Sequence, residues 1–126
     1  MNINKEALYT KDHEWLLKDG DVYQIGVADY AQHHLGDIVY VELPDVEDEI
    51  DKEDSVASVE SVKAASEVFA PVDCEVVEVN EELEDAPDTI NKAPYEAWIA
   101  KIKVTDESQL DELMNAEEYE KYLGEL

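Results

Sequence analysis

Val59-Glu60-Ser61-Val62-Lys63-Ala64-Ala65-Ser66-Glu67-Val68-Phe69 is the segment around which the rest of this chain can be read. β-Branched or aromatic residues stand at both ends, with small residues between them, which reads as strand, turn, strand. Lys63 falls near the tip, with Ala64, Ala65 and Ser66 beside it. A hairpin tip holds an amine out in solvent, and small neighbours let another protein's active site close around it. On spacing alone the plainer reading stands, that Lys63 is one of nine solvated lysines.

Short extended segments lie on either side. His13 to Lys18 and Val22 to Val27 flank Asp19-Gly20, a strong turn dipeptide, and read as a hairpin. Tyr30 to Leu35 is poor in β-branched residues and predicts one or two helical turns, with Asp29 as N-cap and Gly36 as C-cap. Asp37 to Leu43 reads as a strand that stops at Pro44. Val56 to Val62, Glu67 to Ala70 and Glu75 to Asn80 follow as further strands. Trp98, Ala100, Ile102 and Val104 alternate with Ile99, Lys101 and Lys103, the second set forming the expected outer face. Near the C-terminus, Asp106 with Gln109 and then Asn115 with Glu118 resemble capping boxes, before Leu110 and before Tyr119. Two short helices, or one kinked helix ending at Gly124, are expected there. The pattern predicts a mainly β fold, a small sandwich or partly open barrel with short helices, as a single domain over residues 1–126.

Composition narrows the function. The 126 residues carry 34 acids against 9 bases, all lysine, for a net charge of -25. That charge opposes nucleic acid and anionic membrane as partners, since both need positive charge from the protein. With 44% hydrophobic residues the chain is nevertheless no disordered acidic tail. No apolar run approaches the ~18 residues of a membrane helix. The opening M-N-I-N-K-E-A-L-Y-T lacks a signal-peptide core or an Arg-rich transit pattern, and a cytoplasmic location is expected. A single cysteine, Cys74, fits a reducing compartment.

Catalytic groups are scarce. Glycine-rich phosphate loops, a G-x-S-x-G elbow and arginine are all missing. Cys74 sits between Asp73 and Glu75, whose charges disfavour a thiolate. His13, His33 and His34 reach zinc only with carboxylate help. The acidic runs Asp45 to Asp54 and Glu81 to Asp88 read as solvated loops. Asp45, Glu47, Glu49 and Asp51 alternate somewhat like a calcium loop, but Ile50 occupies the place of its turn glycine.

E-S-V-K-A-A-S at 60–66 resembles the lipoyl-attachment motif of the glycine cleavage H-protein family, and the likeness runs nearly end to end. Y-T-K-D-H-E-W at 9–15, G-V-A-D-Y-A-Q-H-H-L-G-D-I-V-Y-V-E-L-P at 26–44, V-V-E-V-N-E-E-L-E-D-A-P at 76–87, P-Y-E-A-W at 94–98 and the closing E-Y-E-K-Y-L share its order and spacing. The resemblance implies a lipoyl-type barrel-sandwich hybrid of two antiparallel sheets, with Lys63 bearing lipoate as an amide. It also implies that Glu14, His34 and Glu67 line a pocket that shelters the loaded arm. Some residues depart from the pattern. Glu47 and Glu53 stand where turn glycines are common, and Cys74 replaces the glycine of P-V-S-G-E. Tyr95-Glu96-Ala97-Trp98 also lacks a glycine before the tryptophan. Those loops are expected to use other turn types or to carry strain.

By this resemblance the chain is a carrier without turnover of its own. A lipoate ligase or lipoyltransferase modifies Lys63, and a pyridoxal-phosphate glycine decarboxylase then loads methylamine onto the arm. A tetrahydrofolate-dependent aminomethyltransferase takes the one-carbon unit, and dihydrolipoyl dehydrogenase reoxidises the dithiol. The alternative is a relay that hands lipoate to 2-oxoacid dehydrogenase subunits. A biotin carrier fits less well, since that family flanks its lysine with methionines. An unmodified acidic scaffold leaves the full-length likeness unexplained.

Overall fold

A computed structural model describes residues 2–126 of the chain. Met1, the first residue of the decapeptide read above for targeting, lies outside them. In chain order the strands are β1 (Leu8–Tyr9), β2 (Glu14–Asp19), β3 (Val22–Val27), β4 (Ile38–Glu42) and β5 (Glu49–Ile50). β6 (Ser55–Ser61), β7 (Ala65–Phe69), β8 (Cys74–Val79) and β9 (Ala100–Val104) follow. The helices are α1 (Asp29–Leu35), α2 (Glu82–Asp85), α3 (Thr89–Lys92) and α4 (Ala116–Gly124), with a 3-10 helix at Glu107–Glu112.

Every pairing is antiparallel. One sheet runs β1-β2-β3-β9-β8-β5 and the other β4-β6-β7. The expected two-sheet, mainly β architecture is what forms. Between the sheets lies a core that includes Leu16, Ile25, Val41, Val59, Val68, Val76 and Ile102, all buried. A second cluster, Ala7, Tyr9, Trp15, Ala28 and Tyr119, fastens α4 to the first hairpin. Here Trp15 pairs with Gly26, where a Cβ would come within 2.6 Å of the indole. Glycine lets the ring lie over the strand, and its Nε1 donates to Val27 O and Pro94 O.

Local expectations are corrected where long-range packing intervenes. Ala28, not Asp29, is the N-cap of α1, because the buried Asp29 carboxylate turns away to accept from Asn2 N and Gln32 Nε2. Within the acidic run at 81–88, Glu82–Asp85 form the single helical turn α2 rather than loop, since Leu83 is pulled into the core, while 86–88 form the turn that leads into α3 and buried Ile90. The other acidic run contributes β5, which pairs with β8. Ile99 faces inward, not outward: it precedes the strand, and its N–H donates to Ile25 O at 2.7 Å. Gln109 does not close a capping box on Asp106. It bonds to Asp73 instead, while Asp106 accepts from Ser108 N. Asn115 and Glu118 do form a full capping box at the start of α4. The sequence gives no sign of β1.

Strain appears at two of the four departures from the glycine pattern. Glu47 has φ 80° and Glu53 φ 76°, while neither Cys74 nor Ala97 has positive φ. Backbone bonds hold both turns, from Glu47 N to Val76 O and from Glu53 N to Ala70 O. The fold therefore keeps the glycine-type turn and imposes it on a side chain that disfavours it.

Candidate functional site

Lys63 stands in the tip between β6 and β7 and is exposed. Ser61 builds that tip. Its Oγ accepts from Lys63 N (3.2 Å) and Ala64 N (3.1 Å), and its N–H donates to Ala64 O at 2.7 Å. A fourth bond, from Val62 N to Asp37 O, anchors the tip to the residue before β4. The lysine stem rests beside Gly36, the residue that ends α1 at φ 79°. Asn91 of α3 braces that corner: its Nδ2 donates to Gly36 O and Gln32 Oε1, and its Oδ1 accepts from Ile38 N. The amine is thus presented on a rigid, small-residue platform, with its side chain free to extend.

Glu14 occupies a very different setting. Only 3% exposed, it accepts from Phe69 N at 2.8 Å and from Thr10 Oγ1 at 2.7 Å. Burial outweighs those two bonds and raises its carboxyl to about 7. The residue helps line a cavity of about 220 Å³, whose wall also includes Thr10, Phe69, Leu113 and Met114. Lys52 and Glu112, joined by an ion pair, stand in the same wall. A buried carboxylate at the edge of a half-apolar cavity suits a cation with a hydrocarbon stem.

The other two expected pocket residues lie elsewhere. Glu67 projects from the outer face of β7, where it accepts from Ser55 Oγ, and it does not line this cavity. His34 is exposed on α1 and packs on Tyr30 at 4.3 Å, and Tyr30 in turn packs on His13. His13 joins Tyr119 of α4 through Nδ1 at 2.8 Å, and burial lowers its pKa. The three residues are therefore not gathered around one cavity.

Sequence reasoning missed Thr10, Asn91, Lys52 and Glu112. Thr10 sits four residues before Glu14 and could have been paired with it. Lys52 and Glu112 are 60 residues apart and Asn91 is 55 from Gly36, so no local signal marks them. Cys74 is buried, and burial with the neighbouring Asp73 pushes its thiol up to about 12, unsuited to nucleophilic work. Altogether the arrangement offers an exposed amine and a sheltered carboxylate.

A family model described as glycine cleavage H-protein matches residues 7–126. The glycine cleavage system H protein of Staphylococcus carnosus (strain TM300) is 53% identical over 126 residues, covering 99% of this chain and 100% of its own length. That of Staphylococcus haemolyticus (strain JCSC1435) is 52% identical with the same coverage. Among solved structures, a glycine cleavage system H protein from Mycobacterium marinum superposes with a TM-score of 0.87 at 36% identity, covering 97% of this chain and 99% of that one.

Proposed function

The chain belongs to the glycine cleavage H-protein family, and from that premise we propose that Lys63 is the residue that carries its lipoate. The family is the lipoyl shuttle of the glycine cleavage system, a carrier and not a catalyst, and its partners are the other components of that system. The relatives quoted favour this shuttle over a relay to 2-oxoacid dehydrogenases. Nothing in the described helices is long and apolar enough to cross a membrane.

One observation carries the assignment to Lys63: the lysine of E-S-V-K-A-A-S is exposed at the hairpin tip, on small neighbours, with its stem against Gly36. That setting fits an amide-linked arm, because a modifying enzyme can surround the amine without displacing packed side chains. Bound there, lipoate supplies the disulfide and dithiol chemistry of group transfer. The chain's own residues do the rest. Ser61 fixes the direction in which the arm leaves, and Glu14 holds a carboxylate where water is largely excluded. We assign Glu14 as the principal shelter for a cationic methylamine on the arm, with His34 and Glu67 as outer contacts. The enzymes taken to meet this chain are a lipoate ligase or lipoyltransferase, glycine decarboxylase, aminomethyltransferase and dihydrolipoyl dehydrogenase, acting on a single domain in the cytoplasm.

Intact-mass and peptide mass spectrometry of protein from its native host tests the assignment. A lipoyl adduct is expected on the Lys63 peptide and is lost in Lys63→Arg, while the fold is unchanged because a tip substitution removes no core packing. Lipoate on another lysine, with Lys63 bare, overturns it.

A further inference from the structure

We propose that Val39, Tyr40 and Val62 form an apolar docking patch beside the arm, and that enzymes acting on the arm meet it with an apolar contact ringed by lysine or arginine. The inference rests on the assignment of Lys63 as the attachment site.

The patch is built by strand register. Val41, Val59 and Val68 face the core, so their neighbours face out. Tyr40, Glu60 and Ala65 form one outer row across β4, β6 and β7, and Glu42, Ser58 and Glu67 form the next. Between Ile38 and Tyr40 the register shifts, and the extra residue is Val39. A bulge of this kind re-aims side chains. Here two consecutive large residues face solvent, Val39 at 53% and Tyr40 at 48% exposed. Val62, at 69%, stands at the same end of the sheet, held by its N–H on Asp37 O. Tyr40 also walls a depression of about 400 Å³ together with exposed Val46.

Charge selects the occupant. Asp37, Glu42 and Glu60 surround the patch, and none of them forms an ion pair among the described residues. Residues 37–71 contain eleven acids and two lysines, Lys52 and Lys63. Of those lysines, Lys52 is occupied by Glu112. A second copy of this chain, also at -25, is repelled from such a face. A basic protein surface is attracted, and salt screens the attraction. Because Val62 immediately precedes Lys63, a partner that takes in the arm covers the patch as it does so.

The test uses lipoylated full-length chain as the substrate of the glycine decarboxylase and of the aminomethyltransferase from the same host. Val39→Ser combined with Tyr40→Ser, and Val62→Ser alone, are each expected to raise KM for the carrier at least tenfold with both enzymes, leaving kcat within twofold. Tyr40→Phe keeps the apolar contact and the wild-type KM. Val77→Ser, on β8 and 39% exposed, serves as the control on the other sheet and changes nothing. Each variant is loaded by ligase in vitro and checked by intact mass and circular dichroism before assay. Glu60→Lys is expected to raise KM at low salt and flatten its salt dependence. A KM within twofold of wild type for the serine variants, or a wild-type chain that self-associates through this face in sedimentation, overturns the proposal. If wild-type protein carries lipoate away from Lys63, the attachment assignment fails first, and the patch loses its reason with it.

Discussion

Lys63 lies against Gly36: the lysine Cε is 3.0 Å from the point a Cβ on Gly36 would occupy, and Nζ is 3.9 Å from it. The helix end and the Lys63 hairpin are therefore fitted to one another, although 27 positions separate them in the chain. Gly36 serves twice there, since its φ of 79° also disfavours any side chain.

Gly36→Ala should accordingly cost about 1–3 kcal/mol through the backbone alone, since φ 79° with ψ -157° is a conformation essentially confined to glycine, lowering the melting temperature by several degrees. The added methyl also pushes the Lys63 stem from its corner. Lipoylation should persist, since the tip stays exposed, while amide exchange at Val62 and Lys63 should accelerate. Thermal melts, intact mass and hydrogen exchange on the same sample check all three outcomes.

Glu14 makes stability depend on pH in a direction opposite to that of most carboxylates. Its folded value of about 7 lies above the 4.5 of the free side chain, so the folded state holds this proton more tightly. Between those two pH values the folded state loses stability as pH rises, by about 3 kcal/mol at ~1.4 kcal/mol per unit. Glu14→Gln cannot ionise and lacks this slope. The variant's stability relative to wild type should climb from pH 4.5 to pH 7 and then level off, which urea titrations of unlipoylated protein at a series of pH values will read.

The same carboxylate should protect the loaded arm. Removing a charge-assisted hydrogen bond costs about 1.5–3 kcal/mol, or roughly tenfold or more in rate. Glu14→Ala with Glu67→Ala is expected to keep lipoylation and to speed non-enzymatic release of ammonia and formaldehyde from isolated loaded protein. Most of that increase should already appear in Glu14→Ala alone, because Glu67 bonds to Ser55 and lies off the cavity. Equal release from wild type and the double variant would sink the shelter role.

Glu47→Gly and Glu53→Gly should each stabilise the chain by about 1 kcal/mol, since both positions hold φ near 80° in a left-handed turn. Glu47→Gln and Glu53→Gln separate strain from charge: they remove the same negative charge but keep the Cβ, and should recover little of the gain. Chemical denaturation of the four single variants decides between the two causes.

Local rules were enough for part of the molecule. Asp19-Gly20 turns the first hairpin, Asn115 and Glu118 cap α4, and small residues around Lys63 mark an exposed tip, because each depends on residues within a few positions. The run of family-like blocks added the two-sheet fold and the carrier function. What the chain could not announce by itself are the meetings between distant residues. The family resemblance singles out Glu14 among 34 acids, but its burial and raised pKa arise only when β2 brings it to Phe69, 55 positions away. Val39 and Tyr40 read as an ordinary alternating strand until a bulge against β6 turns both outward. Positive φ at Glu47 and Glu53 is set by backbone bonds to Val76 and Ala70, against local preference. Periodicity and capping are short-range properties, legible in a window of a few residues. Burial, register and strain are created only when strands far apart in the chain close on a shared core.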